Sequence, residues 1–194
     1  YAVHPRELND FLMVVERENV VVEPSYLIVL KEIQKLHLSD RDRQLFVDQG
    51  TYYRIYEKLG AHLIQVDGRT IGTYFAVWSP NAQELSLVGD FNEWDQGAHY
   101  LWRLDAGIWA IFVPNIGAGT VYKFAVKGAD GITRMKSDPY ASFNQFPTSE
   151  QPTSNASIIW DMDYEWQDAQ WMNERAQKQA LDAPASIYEI HLGS

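Results

Sequence analysis

The chain has 194 residues, 46 % of them apolar, enough for one large or two small domains with a buried core. Its formal charge of −10 at pH 7 argues against a nucleic-acid partner or an anionic membrane surface, because the average Coulomb term would be repulsive; neutral substrates fit better. With no cysteine it has neither a disulfide framework nor a thiolate metal site, which suits a reducing compartment, and no apolar run approaches the roughly 20 residues that span a bilayer.

Residues 1–38 read as the remnant of a preceding domain or an extension. Val20–Val22 and Tyr26–Leu30 are β-prone runs split by Pro24, the pattern of a hairpin. Ser39 with Asp42 three residues on spells a capping box, and Asp40 and Asp42 put negative charge where the helix dipole favours it. Leu45 and Phe46 supply an apolar face and Gly50 a stop, so a short helix is expected over about 40–48. In the following stretch, His62 and Glu57 lack convergent partners and read as packing residues rather than as catalytic or metal-binding ones.

Asp67-Gly68 closes a turn, and a β-sandwich is expected over 72–136. The run Tyr74–Trp78 is stopped by Pro80-Asn81, and a second run, Leu85–Val88, breaks at Gly89. A polar loop follows, carrying one large aromatic, Trp94, between Asn92 and Asp95. A flat ring beside hydrogen-bonding groups suits a sugar, whose faces are apolar and whose rim is hydroxyl. Gly107–Val113 and Val121–Lys127 are further strands, with the turn between them at Gly117–Gly119. In the latter, Tyr122, Phe124 and Val126 alternate with Lys123, Ala125 and Lys127, so one face is expected in the core and the other in water. That alternation leaves the Lys123 ammonium free to donate to a sugar hydroxyl.

Residues 137–157 hold three Pro and many small polar residues; with Tyr140, Phe143 and Phe146 they read as a strap that packs down. Asp161-Met162-Asp163 has no third ligand at useful spacing and reads as a solvated turn. Asp168, between Trp166 and Trp171, is placed to cap a helix through about Gln179, and Pro184 bars its continuation. Ser186–Leu192 alternates as a strand, Ile187, Glu189 and His191 on one face and Tyr188, Ile190 and Leu192 on the other.

Several of these phrases carry a resemblance. Phe75-Ala76-Val77-Trp78 with Pro80-Asn81-Ala82, followed by Gly89-Asp90-Phe91-Asn92-Glu93-Trp94-Asp95, resembles the carbohydrate-binding module of family 48. Tyr56–His62, Lys136–Ala141 and Ser186–Ser194 extend the likeness to glucan branching enzymes over roughly the last three quarters of the chain. The resemblance implies a mainly β fold: an immunoglobulin-like antiparallel β-sandwich at 72–136 with short flanking helices. Residues 39–71 would be a helix and connecting segment, 137–184 a strap and helix, and 185–194 the first strand of a truncated (β/α)8 barrel of glycoside hydrolase family 13.

It also implies a cytoplasmic or plastid enzyme that cuts an α-1,4 glucan and transfers the segment to a 6-hydroxyl with retention of configuration. The catalytic carboxylates of such enzymes lie on later barrel strands, so no catalytic or metal residue is assigned here, no cofactor is implied, and these residues alone are expected to be inactive. The partners implied are α-glucan, as glycogen, amylose or starch, and the catalytic barrel of the same chain.

The glycogen-binding domain of the AMP-activated kinase β subunit is similar at Phe91–Trp94 and Tyr122–Phe124, which implies that Trp94 and Lys123 touch glucan, with Asn92 beside them. Its second stacking Trp follows an Asp-Gly turn; here Asp130-Gly131 is followed by Ile132, and Trp102 is the substitute candidate. Two other readings remain, a non-catalytic glucan-binding or regulatory module and the N-terminal part of a debranching or trehalose-releasing hydrolase. The strand at 186–192 argues against the first and the phrase Tyr56–His62 against the second.

Overall fold

Tyr74, Phe75, Ala76 and Val77 are all buried, and a strand buried at every position has to be covered on both faces. The layers on either side explain the rest of the architecture. In the computed structural model, which describes residues 24–147 and 155–191, two helices come first. Helix α1 spans Pro24–Leu36; α2, Asp40–Arg43, runs on into a π-helical turn at Gln44–Asp48. Among the described residues nine strands follow: β1 Gly60–Val66, β2 Arg69–Trp78, β3 Glu84–Gly89, β4 Trp102–Arg103, β5 Ile108–Pro114, β6 Val121–Lys127, β7 Thr133–Lys136, β8 Phe143–Asn144 and β9 Ser157–Ile158. The first sheet has the order β1-β2-β5-β4 and the second β3-β6-β9-β8, with β7 also on β6; every pairing is antiparallel. Asp67 and Gly68, both at positive φ, make the two-residue turn between β1 and β2.

The two sheets pack face to face. Phe75, Val77, Trp109, Ile111 and Val113 from the first meet Leu85, Leu87, Tyr122 and Phe124 from the second. Phe75 and Tyr122 stand edge to face with ring centroids 5.0 Å apart. The sandwich expected over 72–136 is therefore present, and β1, β8 and β9 add to its sheets from outside that range.

On the other face of the first sheet, Ile64, Tyr74, Ala76, Ile108 and Ala110 form a second core with Val29, Leu30 and Ile33 of α1. This corrects the strand expected at Tyr26–Leu30. Leu27, Leu30, Ile33 and Leu36 recur every three residues with Val29 beside them, and Pro24 opens the helix where a missing N–H costs nothing. A β-branched run is compatible with either state, and the apolar outer face of the sheet selects the helix. Val20–Val22 lies outside the described residues. Helix α2 starts as its sequence directs: Asp42 N–H donates to Ser39 Oγ at 3.2 Å and Ser39 N–H to Asp42 Oδ2 at 3.0 Å.

The strap after β7 is fastened by a buried polar network. Tyr122 Oη donates to Asp138 Oδ2 at 2.7 Å, Tyr140 N–H to Asp138 Oδ1 at 2.8 Å, and Asp138 N–H to Ser157 Oγ at 2.9 Å. Burial pushes both the Asp138 carboxyl and the Tyr122 phenol up, so the phenol keeps its proton and donates it to Asp138 Oδ2. Tyr140 and Phe143 are half-buried as a packed strap requires, but Phe146 is exposed.

The chain divides into two compact units, Tyr1–Asp161 and Met162–Ser194. The second contains α3 (Ala169–Lys178), preceded by Asp168, and an edge-to-face pair, Tyr164 with Trp166, at 5.0 Å. The strand expected at 186–192 is not present over 186–190: these residues have no ladder partner among the described residues, Ile187 and Tyr188 are almost fully exposed, and Leu192 lies outside the described residues. Alternation prepares a strand, but only a neighbour supplies its hydrogen bonds.

Candidate carbohydrate site

The loop after β3 is built by Asn92. Its Oδ1 accepts from Gly89 N–H at 2.9 Å, and its Nδ2 reaches Leu87 O at 3.0 Å, Asp95 O at 3.3 Å and His99 Nδ1 at 3.0 Å. The amide is thus spent on the loop itself. Trp94 N–H donates to Gly89 O at 3.0 Å, and the indole Nε1 donates to Asp90 Oδ1 at 2.9 Å. Glu93 and Trp94 both sit in the left-handed region, at φ 55° and 60°. Such a conformation costs an L-residue about 1–2 kcal/mol and persists only where the surroundings hold it. The result is a half-buried Trp94 whose ring is fixed at both its backbone and its indole nitrogen.

Lys123 lies directly opposite Val88 in the β3–β6 ladder, one residue before the loop departs, and its face points away from the sandwich core. That face is not the wet one the alternation suggested. Ser86, Val88 and Ala125 are buried, and Ser86 and Ala125 lie in a cross-strand row with Tyr100 at one end and Met135 at the other. Lys123 Nζ donates to Asn155 Oδ1 at 2.8 Å. Asn155 is a residue sequence reasoning missed, brought to Lys123 from the far end of the strap by β9. On the same face, the ladder row Val121, Ile158, Phe143 leads to a cluster in which Phe143 lies tilted against Trp160 at 4.6 Å and edge to face with Phe146 at 5.7 Å. Its signal in the sequence was only aromatic content.

Trp102 is placed elsewhere. From β4 it pairs with Ala110 of β5, so it shares the α1-covered face of the first sheet, the side of the sandwich opposite Lys123. Ile132 is exposed, its N–H on Asp130 Oδ1, and the Arg134 guanidinium holds the Asp130 carboxyl down at about 2.

Residues 58–141 match the family model described as carbohydrate-binding module 48 (isoamylase N-terminal domain). That segment is similar to carbohydrate-binding module family 48. The chain is 47 % identical over 174 residues to a 1,4-alpha-glucan branching enzyme GlgB of Synechococcus sp. (strain JA-3-3Ab), covering 89 % of this chain and 21 % of that protein. It is 47 % identical over 159 residues to the GlgB of Rubrobacter xylanophilus (strain DSM 9941 / JCM 11954 / NBRC 16129 / PRD-1), covering 81 % and 21 %. The chain thus spans about a fifth of the length of these curated relatives. Among solved structures, the catalytic module of the pneumococcal glycogen-degrading virulence factor SpuA is 24 % identical over 54 % of this chain and 16 % of its own, with a TM-score of 0.44.

His62 is accounted for locally. His62 Nε2 lies 3.1 Å from Leu59 O, and burial pushes its imidazole down. A cavity of about 150 Å³ lies on the α1 side of the first sheet, lined by His37, Lys58, Tyr74, Leu104 and Ile108 among others, away from the Lys123 face. Among the described residues no three His, Asp or Glu converge as a metal site, and no helix is long and apolar enough to cross a membrane.

Proposed function

We propose that this chain is part of a 1,4-α-glucan branching enzyme and that its sandwich holds α-glucan for a catalytic barrel of the same protein, in the cytoplasm. The observation that carries this is the identity of 42–47 % with branching enzymes over 81–92 % of the chain, well beyond the family 48 segment. The parent reaction would cut an α-1,4 bond through a covalent glycosyl-enzyme intermediate, which requires two carboxyl groups about 5 Å apart, and a sugar 6-hydroxyl would take the place of water. None of the residues described is assigned to that pair. Their task is binding: Trp94 offers a ring face to a pyranose, and Lys123 with Asn155 offers donors and an acceptor to its hydroxyls. Asn92 serves by shaping the loop.

Affinity electrophoresis through gels containing soluble glycogen tests this. Trp94→Ala is expected to lose most of the retention. Equal mobility of the variant and the unaltered chain would give Trp94 a structural role only.

A further inference from the structure

The loop that presents Trp94 is closed by a ring nitrogen. Because Asn92 Oδ1 accepts from Gly89 N–H, the Asn92 amide can face only one way, with Nδ2 towards Leu87 O, Asp95 O and His99 Nδ1. An amide NH2 donates and cannot accept, so His99 Nδ1 is the bare, accepting nitrogen. The ring is seated firmly for this task. His99 O accepts Leu87 N–H at 2.8 Å, which ties the residue to β3, and Phe91 packs edge to face on the imidazole at 5.4 Å. A protonated imidazole donates from both nitrogens and would set donor against donor at a 3.0 Å contact.

We propose that Asn92 and neutral His99 form a clip that holds Trp94 in its binding posture, so that this module releases glucan when His99 takes up a proton. This rests on the binding role of Trp94 proposed above. Glu93 and Trp94, both in the left-handed region, relax when the clip opens, and the indole loses its fixed presentation.

The groups around the imidazole set the direction. Burial pushes the ring below its ordinary value, and the Asp95 carboxylate works against this as the smaller effect. The Leu87 backbone, the Asn92 amide and the Phe91 ring, which also face it, carry no charge. In the closed loop the imidazole is therefore a weaker base than in the open one. Binding that needs the closed loop is complete above about pH 6.5, the ordinary imidazole value, and weakens as pH falls below it.

The experiment measures retention of the full chain on glycogen by co-sedimentation at about pH 7.5 and about pH 5, on either side of the imidazole range. The unaltered chain is expected to lose retention several-fold at the lower pH. His99→Asn, whose Oδ1 replaces Nδ1 as an acceptor and does not titrate, is expected to keep it at both. A His99→Asn variant that follows the original pH curve overturns the clip, as does an unaltered chain whose retention ignores pH. Trp94→Ala, run alongside at the higher pH, separates the two proposals: undiminished retention there removes the Trp94 role itself. Should His99→Asn fold poorly, the unaltered chain suffices, because linkage is reciprocal. Adding maltoheptaose should lower the His99 titration midpoint followed by NMR, and an unmoved midpoint overturns the clip.

Discussion

Gly89 stands where strand becomes loop, directly opposite Tyr122 in the β3–β6 ladder. A Cβ there would lie 2.2 Å from Val121 O and 2.6 Å from Phe91 Cε1. The first is backbone of the neighbouring strand and cannot swing aside, so the requirement for glycine is steric; its φ of 178° is extended and unstrained. Overpacking of this kind costs about 1–3 kcal/mol. Gly89→Ala is expected to lower the urea midpoint accordingly, and because Gly89 N–H is also the donor that orients Asn92, glycogen retention should fall at neutral pH as well. An unchanged midpoint would mean that β3 and β6 move apart more easily than their pairing indicates.

At the scale of elements, how much could be read from the sequence depended on whether the deciding contact was local. The capping box at Ser39 and Asp42 spans three residues, and helix α2 starts where it should. Strands β2, β3, β5 and β6 followed from apolar runs ended by Pro80-Asn81, Gly89 and the Gly117–Gly119 segment, and the position of Trp94 in a loop followed with them. The helix at Pro24–Leu36 did not, because Leu-Ile-Val-Leu satisfies both periods and only the sheet beneath it decides. Nor did Asn155, which meets Lys123 across 32 residues of chain, or the engagement of the Asn92 amide, which depends on loop geometry that no composition encodes. The packing of α1 has a measurable consequence. Leu30, 2 % exposed against the first sheet, should cost about 2–5 kcal/mol as Leu30→Ala. Val47→Ala, at a position 46 % exposed, should stay within about 0.5 kcal/mol. Equal urea midpoints for the two variants would show that α1 is not part of the cooperative core.

For the whole molecule, stability is unevenly placed, and amide exchange reads that directly. Phe75, Leu87, Ile111 and Phe124 sit in paired strands with both sheets closed over them, so their amides should open only with global unfolding. Residues 187–190 belong to the second unit and have no ladder partner among the described residues, and Ile187, Tyr188 and Ile190 are exposed. With no ladder to protect them, their amides should exchange at close to unfolded-chain rates. Strong protection of Tyr188 and Ile190 in a monomer of this chain would mean that the segment had found a partner strand here. An opening barrel strand of the proposed parent enzyme predicts something different: protection absent in this chain and gained when strands C-terminal to it are present, because a parallel barrel strand draws its hydrogen bonds from neighbours on both sides. Exchange that stays fast in a longer chain with active transferase would remove residues 187–190 from the barrel while leaving the sandwich and its glucan site standing.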